Sequence, residues 1–96
     1  MNANNDVELN WRTVSETNNK FFTVERSSDG VYFTPLVNVE AAGNSNAVVS
    51  YQALDANPYT GYSYYRLKQT DFDGKFKYSE IISSDNRDIN RQIIAI

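Results

Sequence analysis

Six residues near the start of the chain, Val7-Glu8-Leu9-Asn10-Trp11-Arg12, alternate strictly between apolar and polar. An extended strand with one buried face accounts for that pattern, because successive side chains on a strand point to opposite sides. A helix would scatter the same residues around its circumference. No stretch elsewhere shows a 3.6-residue period over the ~11 residues a helix needs. The chain is therefore expected to be all-β.

The other apolar runs lie between turn-forming clusters. Phe21-Phe22-Thr23-Val24-Glu25-Arg26 reads as a strand with Phe22 and Val24 inward. It is closed by Ser27-Ser28-Asp29-Gly30, where Asp and Gly suit the positive φ of a tight turn. Residues 31–39 read as a third strand. Pro35 within it has no N–H for a ladder, so this strand is expected at a sheet edge or at a bulge, shielded from pairing with another chain. Residues 15–20 and 41–46 read as loops, and residues 48–54 as a fourth strand broken by Asp55-Ala56-Asn57-Pro58. Residues 62–70 and 75–83 form a hairpin across Asp71-Phe72-Asp73-Gly74, with Tyr65 and Leu67 inward and Tyr64, Arg66 and Lys68 outward.

Six or seven short antiparallel strands with regular turns imply an immunoglobulin-like β-sandwich. Its expected core is Val7, Leu9, Trp11, Phe22, Val24, Phe33, Val39, Tyr51, Tyr65, Leu67, Tyr78 and Ile82. The domain is expected to span residues 1–84. Residues 85–96 begin polar and end Ile93-Ile94-Ala95-Ile96; they read as a linker, with a short terminal strand as the alternative.

Composition narrows the function. Ninety-six residues supply one core but not a core plus a deep catalytic cleft. The chain has no His and no Cys, which removes imidazole acid–base chemistry, thiolate chemistry, disulfides and Cys/His zinc sites. Catalysis, a cofactor and a structural metal are accordingly not expected. A net charge of −3 without a basic cluster speaks against nucleic acid as a partner. No apolar run approaches the ~20 residues of a membrane helix, so membrane insertion is not expected. Residues 1–6 lack the apolar centre of a secretory leader. A monomer is expected.

The order of pieces resembles fibronectin type III domains. Leu9-Asn10-Trp11 is similar to that family's second strand with its buried Trp, and Phe22-Thr23-Val24-Glu25-Arg26 to its third. Leu54, Pro58 and Gly61-Tyr62-Ser63-Tyr64-Tyr65-Arg66 resemble the corner entering its sixth. The family's first strand is missing or reduced to residues 2–6; if those residues do not pair, a sheet edge is left exposed. Over residues 7–84 a closer resemblance rests on Trp11-Arg12-Thr13-Val14-Ser15-Glu16-Thr17-Asn18-Asn19, on Ala42-Gly43-Asn44-Ser45, and on Tyr64-Tyr65-Arg66-Leu67-Lys68-Gln69-Thr70-Asp71-Phe72-Asp73-Gly74-Lys75. These look like the fibronectin-III-like module of secreted and cell-surface Bacteroidetes proteins that precedes a type IX (Por) secretion C-terminal sorting domain. The resemblance implies an extracellular or outer-surface location. It also implies a spacer or interaction role beside other domains of the same polypeptide.

Four candidate sites stand out. Tyr32, Tyr59, Tyr62 and Tyr64 could stack on sugar faces of an extracellular polysaccharide; alternatively Tyr62 or Tyr64 closes a corner of the sandwich while Tyr59 covers an end. Asp71-Phe72-Asp73-Gly74 has the look of a calcium loop, but Ile82 stands where a bidentate Glu is required, so a hairpin turn is expected. Glu16, Asp6 and Asp55 are carboxylates near loops, and a glycosidase pair among them would need a cleft between the two groups. Arg66, Lys68, Lys77 and Glu25 are expected to form a solvated charge ladder with no anion site.

Overall fold

The alternation at Val7–Arg12 becomes the strand β1 (Val7–Thr13), which buries Val7, Leu9, Trp11 and Thr13 on one face. The computed structural model describes residues 6–85 and 91–93. Seven further strands follow: β2 (Glu16–Ser27), β3 (Thr34–Ser45), β4 (Val49–Asp55), β5 (Tyr62–Asp71), β6 (Phe76–Tyr78), β7 (Ile82–Asp85) and β8 (Arg91–Ile93). One sheet has the order β4-β1-β8, and the other the order β3-β2-β5-β6 with β7 also on β5. All pairings are antiparallel except β8, which runs parallel to β1. The result is an all-β sandwich of the immunoglobulin-like kind.

Val7, Leu9 and Trp11 from the first sheet meet Phe22, Val24, Tyr65 and Leu67 from the second in one buried cluster. The ring of Trp11 stands edge-on to Phe22 at 5.5 Å and stacks on Tyr51 at 5.8 Å. Val39, Tyr51 and Ile82 pack against this cluster while part-exposed, at the margin rather than the centre. Two expected core residues are elsewhere. Tyr78 is 45% exposed, and Phe33 lies half-buried under the Arg66 guanidinium.

Register explains the misplacement of Tyr78. A four-residue turn at residues 71–74 would set Thr70 opposite Lys75, and thus Tyr78 inward opposite Leu67. The observed loop is Phe72-Asp73-Gly74, with the Asp71 amide donating to Lys75 O and the Gly74 amide to Asp71 O. Gly74 takes the left-handed conformation (φ 89°) that such a three-residue hairpin requires. Thr70 therefore faces Phe76, and Lys68 faces Tyr78. A shift of one residue inverts every side chain of a strand. Lys77 moves to the inner side with Gln69, and Tyr78 moves to the outer side.

Five segments also differ from the expectation. The expected single strand over residues 75–83 is split into β6 and β7, and Ser79 splices the gap. Its Oγ accepts the Leu67 amide at 2.8 Å while its own amide donates to Leu67 O. Residues 16–20 and 41–45 are strand rather than loop, because Glu16 gathers donors from three neighbouring segments and ties them together. Residues 31–33 precede β3 instead of belonging to it. Residues 91–93 supply a strand, so this part of the tail follows the terminal-strand alternative. Residues 2–5 and the apolar Ile94-Ala95-Ile96 lie outside the described residues.

Pro35 sits as its residue type demands. Strand β3 is an edge of its sheet, and the β2–β3 register shifts between Val24 and Glu25, the latter facing Pro35.

Candidate functional site

Strand β5 alternates between the two sides of its sheet. Ser63, Tyr65 and Leu67 are buried, while Tyr62, Tyr64, Arg66 and Lys68 take the opposite, outer side. Cross-strand pairing brings neighbours to that side: Ser27 beside Tyr64, Glu25 beside Arg66, and Tyr78 beside Lys68. The outer face thus carries a band in which rings and cations adjoin.

The cations of the band lie on rings. The Arg66 guanidinium is 4.3 Å from the Phe33 ring centre and 3.9 Å from that of Tyr78. Its Nε donates to Glu25 Oε1 at 2.7 Å. The Lys68 ammonium lies 4.1 Å from the Phe76 ring centre. Such contacts contribute about 0.5–1 kcal/mol each at exposed sites. The expected ladder of solvated charges is therefore ring-clad, and Lys77 is not part of it.

The four tyrosines do not form one platform. Tyr62 and Tyr64 share the outer face, two residues apart on β5. The Tyr64 ring covers Gly30, where an added Cβ would come within 3.6 Å of it. Tyr32 is 80% exposed and follows a turn built by Asp29, whose carboxylate accepts the Val31 and Tyr32 amides. Those amides, with the Ser27 hydroxyl, hold the Asp29 carboxyl below its ordinary pKa. Tyr59 is taken up by structure, since the Arg26 guanidinium lies 4.6 Å from its ring centre and its amide donates to Ser63 Oγ. The corner contact falls to neither Tyr62 nor Tyr64. Tyr65 makes it, donating its hydroxyl to Asp55 Oδ2 at 2.6 Å.

The carboxylates named in the sequence are far apart. Glu16 bonds Thr13 at the end of β1, whereas Asp55 pairs with Val7 at its start. Six residues of strand separate those ends by about 20 Å, too far for a pair acting on one glycosidic bond. Each is also consumed by internal donors. Asp55 accepts from Arg26, Tyr65 and the Asn57 amide. Glu16 accepts from the Tyr51 hydroxyl, Thr13, Asn19 and the Ala42 amide. Asp6, at the other end of β1 from Glu16, joins neither set. In the 71–75 turn Asp73 Oδ1 accepts the Lys75 amide, the part played by an Asp that caps a turn. No group of three or more carboxylates is gathered among the described residues.

Burial by itself would raise the Glu16 pKa, but its four hydrogen bonds outweigh that and hold it below the ordinary 4.5. Burial and the Glu16 bond together push the Tyr51 phenol up to about 12. A carboxyl with a lowered folded pKa stabilises the fold above its unfolded pKa, and that contribution disappears as pH falls through the folded value. Glu16→Gln should therefore cost about 1–3 kcal/mol at neutral pH, because an amide cannot accept from all four donors. The gap to wild type should narrow in acid, as read by urea unfolding at pH 7 and at pH 3. A gap independent of pH would show that the carboxylate charge is not what the four donors hold.

An open cleft of about 860 Å³ lies between the sheets, with Trp11 on one wall and Leu67, Gln69 and Lys77 on the other. No helix among the described residues is long and apolar enough to cross a membrane. Comparison with protein-family models, with curated proteins and with solved structures found no match.

Phe33, Phe76 and Tyr78 are the members of the outer band that sequence reasoning missed. Phe76 and Tyr78 flank Lys77 at strand spacing, and the position of Gly74 was the available signal for their register.

Proposed function

We propose that this chain is a non-catalytic spacer and interaction module of a secreted or cell-surface multidomain protein. The observation that carries this reading is the state of its buried carboxylates. Glu16 and Asp55 are the polar groups a catalytic centre would need free, and both spend their lone pairs bracing strands. What remains is a braced sandwich whose work is to hold neighbouring domains apart. The resemblance of residues 7–84 to modules beside secretion sorting domains supports the location and the setting. Placed between two fluorescent domains, the module should give one narrow energy-transfer distribution that persists in urea until the sandwich itself unfolds. Several populations, or broadening well before unfolding, would defeat the spacer reading.

A second reading, carbohydrate binding that anchors a partner domain to polysaccharide, is favoured by Tyr62 and Tyr64 sharing one face of β5. Tyr62 is 54% exposed, and its ring can meet a sugar face while its hydroxyl stays hydrated. Affinity electrophoresis through a panel of neutral and acidic polysaccharides should retard the wild-type domain, and Tyr62→Ala with Tyr64→Ala should abolish the retardation. Free migration through every polysaccharide would remove this reading and leave the spacer role standing.

A further inference from the structure

The outer band of the five-stranded sheet has a direction. Along β5 it begins with two tyrosines, Tyr62 and Tyr64, and continues with two cations, Arg66 and Lys68. These four positions take up about 20 Å of strand, since alternate residues on one face are spaced by roughly 6.6 Å.

The cationic end is incompletely neutralised. Glu25 takes only the Nε donor of Arg66, and guanidinium carries five N–H donors in a planar fork. The other four have no protein hydrogen bond among the described residues. Lys68 has no carboxylate within ion-pair distance among the described residues. Phe33, Tyr78 and Phe76 fix both cations by lying against them, so little side-chain freedom is lost when an anion arrives. In a chain of net charge −3, this is a local reversal of sign.

Those observations select among sugars. Ring faces at the β6 end are occupied by the protein's own cations, and Phe76 and Tyr78 stand at 71° to one another. A flat neutral sugar finds no open platform there. A sugar bearing a carboxylate finds donors instead. We propose that the outer face of the β5–β6 region binds an acidic polysaccharide of the uronate class. Sugar rings lie over Tyr62 and Tyr64, and uronate carboxylates are held by Arg66 and Lys68. This rests on the carbohydrate reading above and narrows it to one substrate class.

The test is affinity electrophoresis of the folded domain through gels containing polygalacturonate, neutral xylan or poly-glutamate. Polygalacturonate should retard the wild-type domain and xylan should not, and the retardation should weaken as salt is raised. Lys68→Gln should weaken it about three- to fivefold, the range of an exposed charge contact, with melting temperature unchanged. Tyr62→Ala should also weaken it, which attraction to charge alone would not produce. Equal retardation by xylan would overturn the uronate proposal while leaving carbohydrate binding intact. Equal retardation by poly-glutamate, or full retardation of Lys68→Gln, would overturn the proposal as well. Free migration through all three gels would remove the proposal, and free migration through the whole polysaccharide panel would remove the reading beneath it.

Discussion

Replacing Trp11 with Ala is expected to cost about 3–5 kcal/mol of folding free energy, the range for truncating a large buried aromatic. Trp11 is 2% exposed at the centre of the core cluster, where Phe22 meets its edge and Tyr51 its face. A small domain has only about 5–15 kcal/mol in total, so the loss is a large share of what holds it folded. The effect should spread beyond packing. Tyr51 rests on the indole and also donates to Glu16, so a collapse at position 11 disturbs the donors that brace β2 and β3. Trp11→Phe should cost clearly less, because the indole N–H makes no hydrogen bond among the described residues and only ring volume is lost. Urea unfolding of the three proteins reads this directly. A Trp11→Ala protein as stable as wild type would mean that the sandwich does not close over this residue.

Asp55→Ala is expected to be comparably severe, at about 3–5 kcal/mol, because it breaks a buried ion pair from one side. The Asp55 side chain is 1% exposed, and its oxygens hold Arg26 at 2.9 Å and the Tyr65 hydroxyl at 2.6 Å. Removing it leaves the part-buried Arg26 guanidinium and the buried Tyr65 phenol without the carboxylate that both were bonded to. Burial, reinforced by Asp55, already keeps the Tyr65 phenol well above its ordinary pKa, so ionising it is no escape. Among the described residues, Arg26 then keeps the Asn57 carbonyl and Tyr59 as its side-chain partners. Removing both charges together, Asp55→Leu with Arg26→Met, should recover part of the loss, since no unpaired buried charge then remains. If the double variant were as unstable as Asp55→Ala, the lost free energy would come from packing at this corner rather than from charge.

Much of the sandwich was legible because its signals are local. Alternation along Val7–Arg12 fixed β1 and its buried side, and Phe22, Val24, Tyr65 and Leu67 follow by the same period. Pro35 marked an edge through the chemistry of its missing N–H. The errors arise where a distant partner decides. Residues 16–20 are polar, which reads as loop, and in the structure Asn18 does take a positive φ of 55°. They are strand because Glu16 is anchored by Tyr51, thirty-five residues away. One misjudged residue, Asp71, counted in the turn although it ends β5, moved Lys77 outward and Tyr78 inward, and so hid the ring-clad cations from sequence reasoning. The corner hydroxyl was assigned to Tyr62 or Tyr64, three residues and one residue before Tyr65, which makes it.

Strand β8 gives the molecule a mechanical character. It runs parallel to β1, with Arg91 beside Glu8 and Ile93 beside Asn10. Tension applied between residues 7 and 93 would draw these two strands past one another along their length. Their hydrogen bonds would then resist together in shear, instead of opening one by one like a zip. The clamp is short, three residue pairs against the seven that join β1 to β4. Under load it is the first element to give, releasing the tail while β1 stays seated against β4. A module hung between two domains would in this way lengthen slightly before it broke.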